Sequence, residues 1–305
     1  MATTERKASA DEESMIECNT PCYKGWCPLP AFINVFRDEI KRRDVVDPTE
    51  YLRAQLELAV LSMILCGIVT RIFNPEMLKD NHIKSAMGYN SGCVNFDERP
   101  AIYLAVPLYG FGFYCLVRYA ILDSTRSIMF KLDPARKMIS MVGNVIYALS
   151  AGVFLLVFVD LPYTHEHSLN HYLFFAQFIA TRMVVAWTDF YKGTAMVEVS
   201  VYSWIFLAEF TAMSIASLVI PSINFVSYES DPDSHKPIQP TELMMVLDYW
   251  YVINVYLLTI FLPKCPALHI TRELIRNPGL EDVKAEGKKG NGVELGSTSR
   301  ASWFP

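Results

Sequence analysis

Between residues 160 and 171 the chain reads DLPYTHEHSLNH, which sets Asp160, His165, Glu166, His167 and His171 within one short stretch. Imidazole beside carboxylate is the pairing that moves protons near neutral pH, because histidine titrates there and a carboxylate orients the ring and stabilises its cation. His167 and His171 are four residues apart and share one face if a helix extends back through them. Asp248 stands just inside another apolar block and can face the same edge of the membrane. His167, His171, Asp160 and Asp248 are therefore the candidate set for acid–base work on a lipid headgroup. Imidazole and carboxylate can also bind a metal or simply hydrogen-bond at an interface. No His-Glu-x-x-His spacing occurs, so no metal is assigned, and no cofactor is expected.

A second set of polar residues lies deep inside apolar sequence. Arg182, Glu209 and Asn254 each stand ten or eleven residues into their blocks, which at 1.5 Å per residue places them about 15 Å from the membrane edge, near its midplane. An ionisable group there costs several kcal/mol, in order of magnitude, unless it is paired or faces a cavity. An Arg182–Glu209 ion pair between antiparallel neighbours is the expected arrangement. It is either a helix-to-helix clamp or part of a substrate, ion or proton path. Cys18, Cys22 and Cys27 form a third set, in ECNTPCYKGWCP. Their gaps do not match the usual zinc pairs, which leaves plain thiols or reversible palmitoylation beside a membrane-surface helix.

The elements that must position these residues follow from composition. The chain has 305 residues, of which 52% are hydrophobic and 19% charged, with a mean hydropathy of +0.21. Soluble domains carry roughly 25% charged residues. The apolar residues cluster in six blocks, at 51–73, 101–122, 138–159, 172–190, 199–225 and 243–262, each near the ~20 residues that cross the hydrocarbon. The fold expected is all-α: a polytopic membrane protein, a bundle of about six transmembrane helices within 47–263. Before it, Phe32, Val35, Phe36 and Ile40 recur at helical spacing opposite Arg37, Asp38, Lys41 and Arg42. That pattern predicts an amphipathic interfacial helix within 28–45, lying on the membrane or on the protein's own loops. Asp47 can cap the first span, with Pro48 at its first position and Glu50 completing a capping box. Residues 1–27 and 277–305 read as disordered cytoplasmic tails, and the first 27 hold no apolar core of a cleavable signal.

Thirteen Lys and Arg flank the span ends on the side of the N-terminus and five flank the other side. By the positive-inside rule both termini are cytoplasmic. No span carries the deep lysine of a retinal protein or the regularly spaced arginines of a voltage sensor. No GxxxxGK[ST] loop occurs, and the two halves show no repeat of the transporter kind.

Three segments carry a resemblance: GNVIYALSAGVFLLVF in span three, THEHSLNHYLFFAQFIATRMVVAWTDF across the loop into span four, and LDYWYVINVYLLTIF in span six. With six spans and a histidine-bearing second outer loop, the chain resembles the DRAM-like family, the damage-regulated autophagy modulators and a related factor that remodels the lipid of GPI anchors. His167 or His171 and the pair Asp248–Tyr249 match its loop histidine and its acidic–aromatic pair, with Asn254 further along. Leu258 and Thr259 stand where the GPI-remodelling branch has a histidine, and YLFF replaces a small-residue pair. The resemblance implies a protein of Golgi or endoplasmic reticulum membranes, or of lysosome or plasma membrane, whose partners are membrane lipids and other membrane proteins, not nucleic acid. The expectation it carries is a role in lipid organisation or GPI-anchor lipid remodelling as an accessory factor. An intramembrane lipid hydrolase or acyltransferase using the histidine–carboxylate cluster, and a small transporter or channel using the midplane residues, are the alternatives. Depth separates them, since lipid chemistry needs polar groups at headgroup level and transport needs them at the midplane.

Overall fold

The computed structural model describes residues 30–41, 45–79, 81–96, 99–158, 165–230 and 236–269. Its helices are α1 (Ala31–Lys41), α2 (Pro48–Phe73), α3 (His82–Met87), α4 (Ala101–Met129), α5 (Pro134–Phe154), α6 (His165–Gly193), α7 (Val201–Ser230) and α8 (Thr241–Phe261). Short 3-10 turns lie at Pro75–Leu78, Gly92–Phe96 and Leu155–Phe158. One two-residue antiparallel bridge joins Val45–Val46 to Leu268–His269. Six long helices thus run back and forth in one bundle. The α1 end holds the α4–α5 and α6–α7 turns and the bridge, and the opposite end holds α3 and the 3-10 turn at Gly92–Phe96.

Five of the six, all but α6, are long and apolar enough to cross a membrane by length and composition. α6 packs between α5 and α7 and completes the bundle, but it carries Arg182, Asp189 and Lys192. The distribution of side chains confirms the environment. Ile64, Ile68 and Ile72 of α2, Val145 and Leu149 of α5, and Ile205, Ile215 and Val219 of α7 face outward, while Ser62, Thr70, Asn144, Arg182, Ser214 and Asn224 are buried. A soluble monomer rarely exposes apolar patches of this extent. A bundle in lipid has no reason to hide its isoleucines, and must satisfy its polar groups internally.

Local sequence sets the ends of the helices. Asp47 caps α2, its carboxylate accepting from Thr49 N at 2.9 Å, with Pro48 at the first position. The expected box closes differently, since Glu50 lies 4.0 Å from Arg53. Asp133 caps α5 in the same way, accepting from Arg136 N at 3.0 Å ahead of Pro134. Between spans, polar pairs join neighbours: Ser150 Oγ donates to Gln177 Oε1 at 2.6 Å from α5 to α6, and Trp187 Nε1 donates to Thr211 Oγ1 at 2.9 Å from α6 to α7. Each such pair supplies direction where apolar packing against lipid gives little.

α1 forms within the expected bounds and packs on α2 rather than on loops. Ala31 and Val35 are buried against α2, while Ile33, Phe36 and Ile40 remain exposed as one stripe. Glu39 ties the helix down, accepting from Tyr51 Oη at 2.6 Å and from Arg118 Nε at 2.9 Å. At the opposite end the 75–100 connection folds over the bundle. Thr70 Oγ1 donates to Asn95 O at 2.6 Å, and Asn81 caps α3 by accepting from Lys84 N at 2.8 Å.

Candidate functional site

The bundle is hollow. A cavity of about 410 Å³ is lined by residues of all six long helices and of α3. Its wall is mostly apolar, built from side chains such as Leu56, Met63, Phe113, Phe154, Phe178 and Val255. Such a volume lies in the range of ~300–1,000 Å³ typical of small-molecule sites. Ile64 of α2 and Tyr249 of α8 line it and also face outward. The cavity therefore reaches the lipid-facing surface between α2 and α8.

Asp248 is the polar focus of this chamber. Its Oδ2 accepts from Ser91 Oγ at 2.7 Å and from Tyr89 Oη at 3.0 Å. Tyr89 and Ser91 come from the connection that covers the bundle, so the cap and α8 together position the carboxylate. Gln55, Ser217 and Tyr251 add further polar groups to the wall. They are 8%, 6% and 9% exposed, and Gln55 Oε1, Ser217 Oγ and Tyr251 Oη have no hydrogen-bond partner among the described residues. Four residues beyond Ser217, Pro221 interrupts α7 and lacks the N–H that the Ser217 carbonyl would accept.

Of the expected acid–base set, only Asp248 can be placed in this way. His167 and His171 fall in the first turns of α6, but their side chains lie outside the described residues, as do Asp160 and Cys18, Cys22 and Cys27.

The trio expected at the midplane is arranged otherwise than as an Arg182–Glu209 pair. Glu209 does not pair with Arg182; its Oε1 accepts from Asn254 Nδ2 at 2.8 Å and from Trp250 Nε1 at 2.7 Å, which joins α7 to α8. Arg182 turns away, into the bundle. It is fully buried, with its guanidinium 5.1 Å from the Tyr147 ring and 3.9 Å from Asp189 Oδ2. None of its three guanidinium nitrogens has a hydrogen-bond partner among the described residues. The physical reason is rotation: equal depth brings two residues to one level but does not turn them to one another. Asp189, seven residues along the same helix, lies two turns away on Arg182's own face.

Asp189 belongs to a buried ionic cluster that the sequence reading did not single out. Asp123 accepts from Arg126 at 2.6 Å, from Asn144 at 2.9 Å and from Lys192. Lys192 also donates to Asp189 Oδ1 at 2.8 Å, and Tyr119 Oη donates to the same carboxylate at 3.1 Å. Arg126 and Lys192, expected as basic flanks at the membrane edge, are 3% and 2% exposed. The signal was available. Asp123–Arg126 and Asp189–Lys192 both place a base three residues after an acid, at the ends of two spans that finish at the same side of the bundle. Three cations, Arg126, Arg182 and Lys192, thus face two carboxylates.

Comparison of the chain with family models, with curated proteins and with solved structures found no match.

Proposed function

We propose that this protein is a multi-pass protein of endomembranes that binds a membrane lipid in the central cavity and organises or presents it, as an accessory factor in lipid remodelling. The cavity's opening to the lipid-facing surface between α2 and α8 supports this reading above all. A pocket for a water-soluble solute opens toward water, whereas this one is apolar and reaches the surface where acyl chains lie. Asp248, held by Ser91 and Tyr89, meets the polar end of the guest. The Glu209–Asn254–Trp250 group lies at the outer seam of α7 and α8 as a clamp. The same reading accords with the lipid organisation or GPI-anchor lipid remodelling that the DRAM-like resemblance implies. It carries the orientation with both termini cytoplasmic, in Golgi or endoplasmic reticulum membranes.

The test is photolabelling. Full-length protein is purified from cells fed a photoreactive fatty acid, so that every acyl lipid carries the probe, and labelled residues are mapped after irradiation. Label is expected on cavity residues such as Met63, Phe178 and Val255, and Ala59→Phe and Val252→Phe, which fill the wall, should remove most of it. Label confined to outward residues such as Val145 and Ile205, and unchanged by either substitution, would remove the reading.

A further inference from the structure

The charges and the unsatisfied atoms of the cavity narrow its guest to a chemical class. Among the described residues that line it there is one carboxylate, Asp248, and no lysine, arginine or histidine. A phosphate drawn to Asp248 would meet an acid and, among the described lining residues, no cation, in a medium where an unpaired charge is expensive. The group of the guest that faces Asp248 is therefore uncharged. It must also do more than fill space. Asp248 is an acceptor and calls for a donor on the guest. Tyr251, three residues further along α8 and about 4.5 Å down the axis, has a phenol whose oxygen is buried, has no hydrogen-bond partner among the described residues, and lies within the field of Arg182. Ser217 Oγ and Gln55 Oε1 are unpartnered on the same wall. Buried polar atoms in native proteins are almost always hydrogen-bonded, and three on one cavity leave places for partners that a guest supplies. A hydroxyl at Asp248 with a carbonyl one helical turn deeper, where Tyr251 Oη can donate, satisfies both groups. Diglycerides and ceramides carry that pair, a free hydroxyl beside an ester or amide carbonyl, on acyl chains that leave through the opening at Ile64 and Tyr249.

We propose that the cavity selects an uncharged hydroxylated acyl lipid, of the diglyceride or ceramide type, through Asp248 and Tyr251 and against phosphate-bearing lipids; the proposal rests on the lipid-binding reading above. The test uses full-length protein in nanodiscs with four photoreactive probes: a diacylglycerol, a ceramide, a phosphatidic acid of the same chains, and a hydrocarbon without oxygen. The diacylglycerol or the ceramide should label cavity residues at least about tenfold more than phosphatidic acid, the ratio that one or two net hydrogen bonds provide. Comparison of those two arms identifies the lipid type. Tyr251→Phe, which removes one oxygen and keeps the ring, should lower the preferred label severalfold and leave the hydrocarbon label unchanged. Asp248→Asn keeps an acceptor oxygen but removes the charge, and should let phosphatidic acid in. Equal labelling by hydrocarbon and hydroxylated lipid, or by phosphatidic acid and diacylglycerol, overturns the selectivity while the lipid-binding reading stands. Absence of all four probes from the cavity overturns both.

Discussion

Arg182 presents more donors than its surroundings accept. Its nearest carboxylate, Asp189, is already engaged by Lys192 and Tyr119, and the Tyr147 ring covers one face. The count of three cations against two carboxylates decides what each substitution does. Arg182→Met leaves two against two, while Asp189→Asn leaves three cations facing one carboxylate. Asp189→Asn should therefore destabilise the bundle more, by about 3–5 kcal/mol, the usual cost of breaking a buried pair, and Arg182→Met clearly less. Thermal unfolding in detergent orders the two, and the reverse order would contradict the charge excess. Lys192→Met and Asp123→Asn remove the two sides of one contact, so the double variant should lose less than the two single losses added together. That Glu209 and Asn254 share a level was legible in the sequence, because rise per residue is fixed. The partners of Arg182 and Glu209 were not, because partner choice depends on how each helix is rotated, which apolar sequence facing lipid on one side and protein on the other specifies poorly.

At the scale of elements, legibility followed local chemistry. The Asp47 cap and the helix of α1 depend on neighbours in sequence, and both stand where the residue pattern put them, although Val35 turns inward and Ile33 takes its place in the exposed stripe. The fold of the 75–100 connection depends on distant contacts, so its delivery of Tyr89 and Ser91 to Asp248 had no sequence signal. Gly88 holds that connection in place. It ends α3 at φ +82, and a Cβ there would collide with Thr241 Oγ1 at the start of α8. Gly88→Ala should destabilise by about 1–3 kcal/mol through backbone strain alone, and should loosen the Asp248 mouth before the bundle unfolds, which hydrogen exchange at 82–96 would read. α1 is tied by charge. Burial pushes Glu39 up, but the Tyr51 hydrogen bond and the Arg118 charge outweigh it and hold the carboxyl below its ordinary value of 4.5. A depressed folded value means the tie is complete above that pH and is lost as pH falls through the lowered value. A nitroxide at Lys41 should be immobile near neutral pH and mobile in strong acid. In Glu39→Gln it should be mobile throughout, and persistent immobility there would show that packing of Ala31 and Val35 alone holds the helix.

Across the whole molecule, polarity is inverted relative to a soluble protein, and that inversion is what the composition announced before any contact was known. The fold also sorts the connections. The α4–α5 turn at Lys131, the α6–α7 turn at Ala195 and the bridge of 45–46 with 268–269 share one end, and the connections at 74–100 and 236–240 share the other. The alternation of six long helices requires this, but does not say which end is cytoplasmic. In the proposed orientation the end with the bridge is cytoplasmic, as the excess of Lys and Arg favours, although Arg126 and Lys192 are consumed by the buried cluster and offer little to the headgroups. Discounting both still leaves the excess on that side, so the proposed orientation does not turn on them. The sequence contains no Asn-x-Ser/Thr acceptor, which makes glycosylation a map without background. An acceptor tag inserted after Glu76 should be glycosylated in cells and shift on a gel until deglycosylated. The same tag inserted after Lys131 or after Ala195 should stay unmodified. Glycosylation at Lys131 or Ala195 would reverse the orientation, place the ionic cluster at the lumenal end, and move the Asp248 mouth to the cytoplasmic leaflet, where a hydroxylated lipid would have to be drawn from the opposite pool.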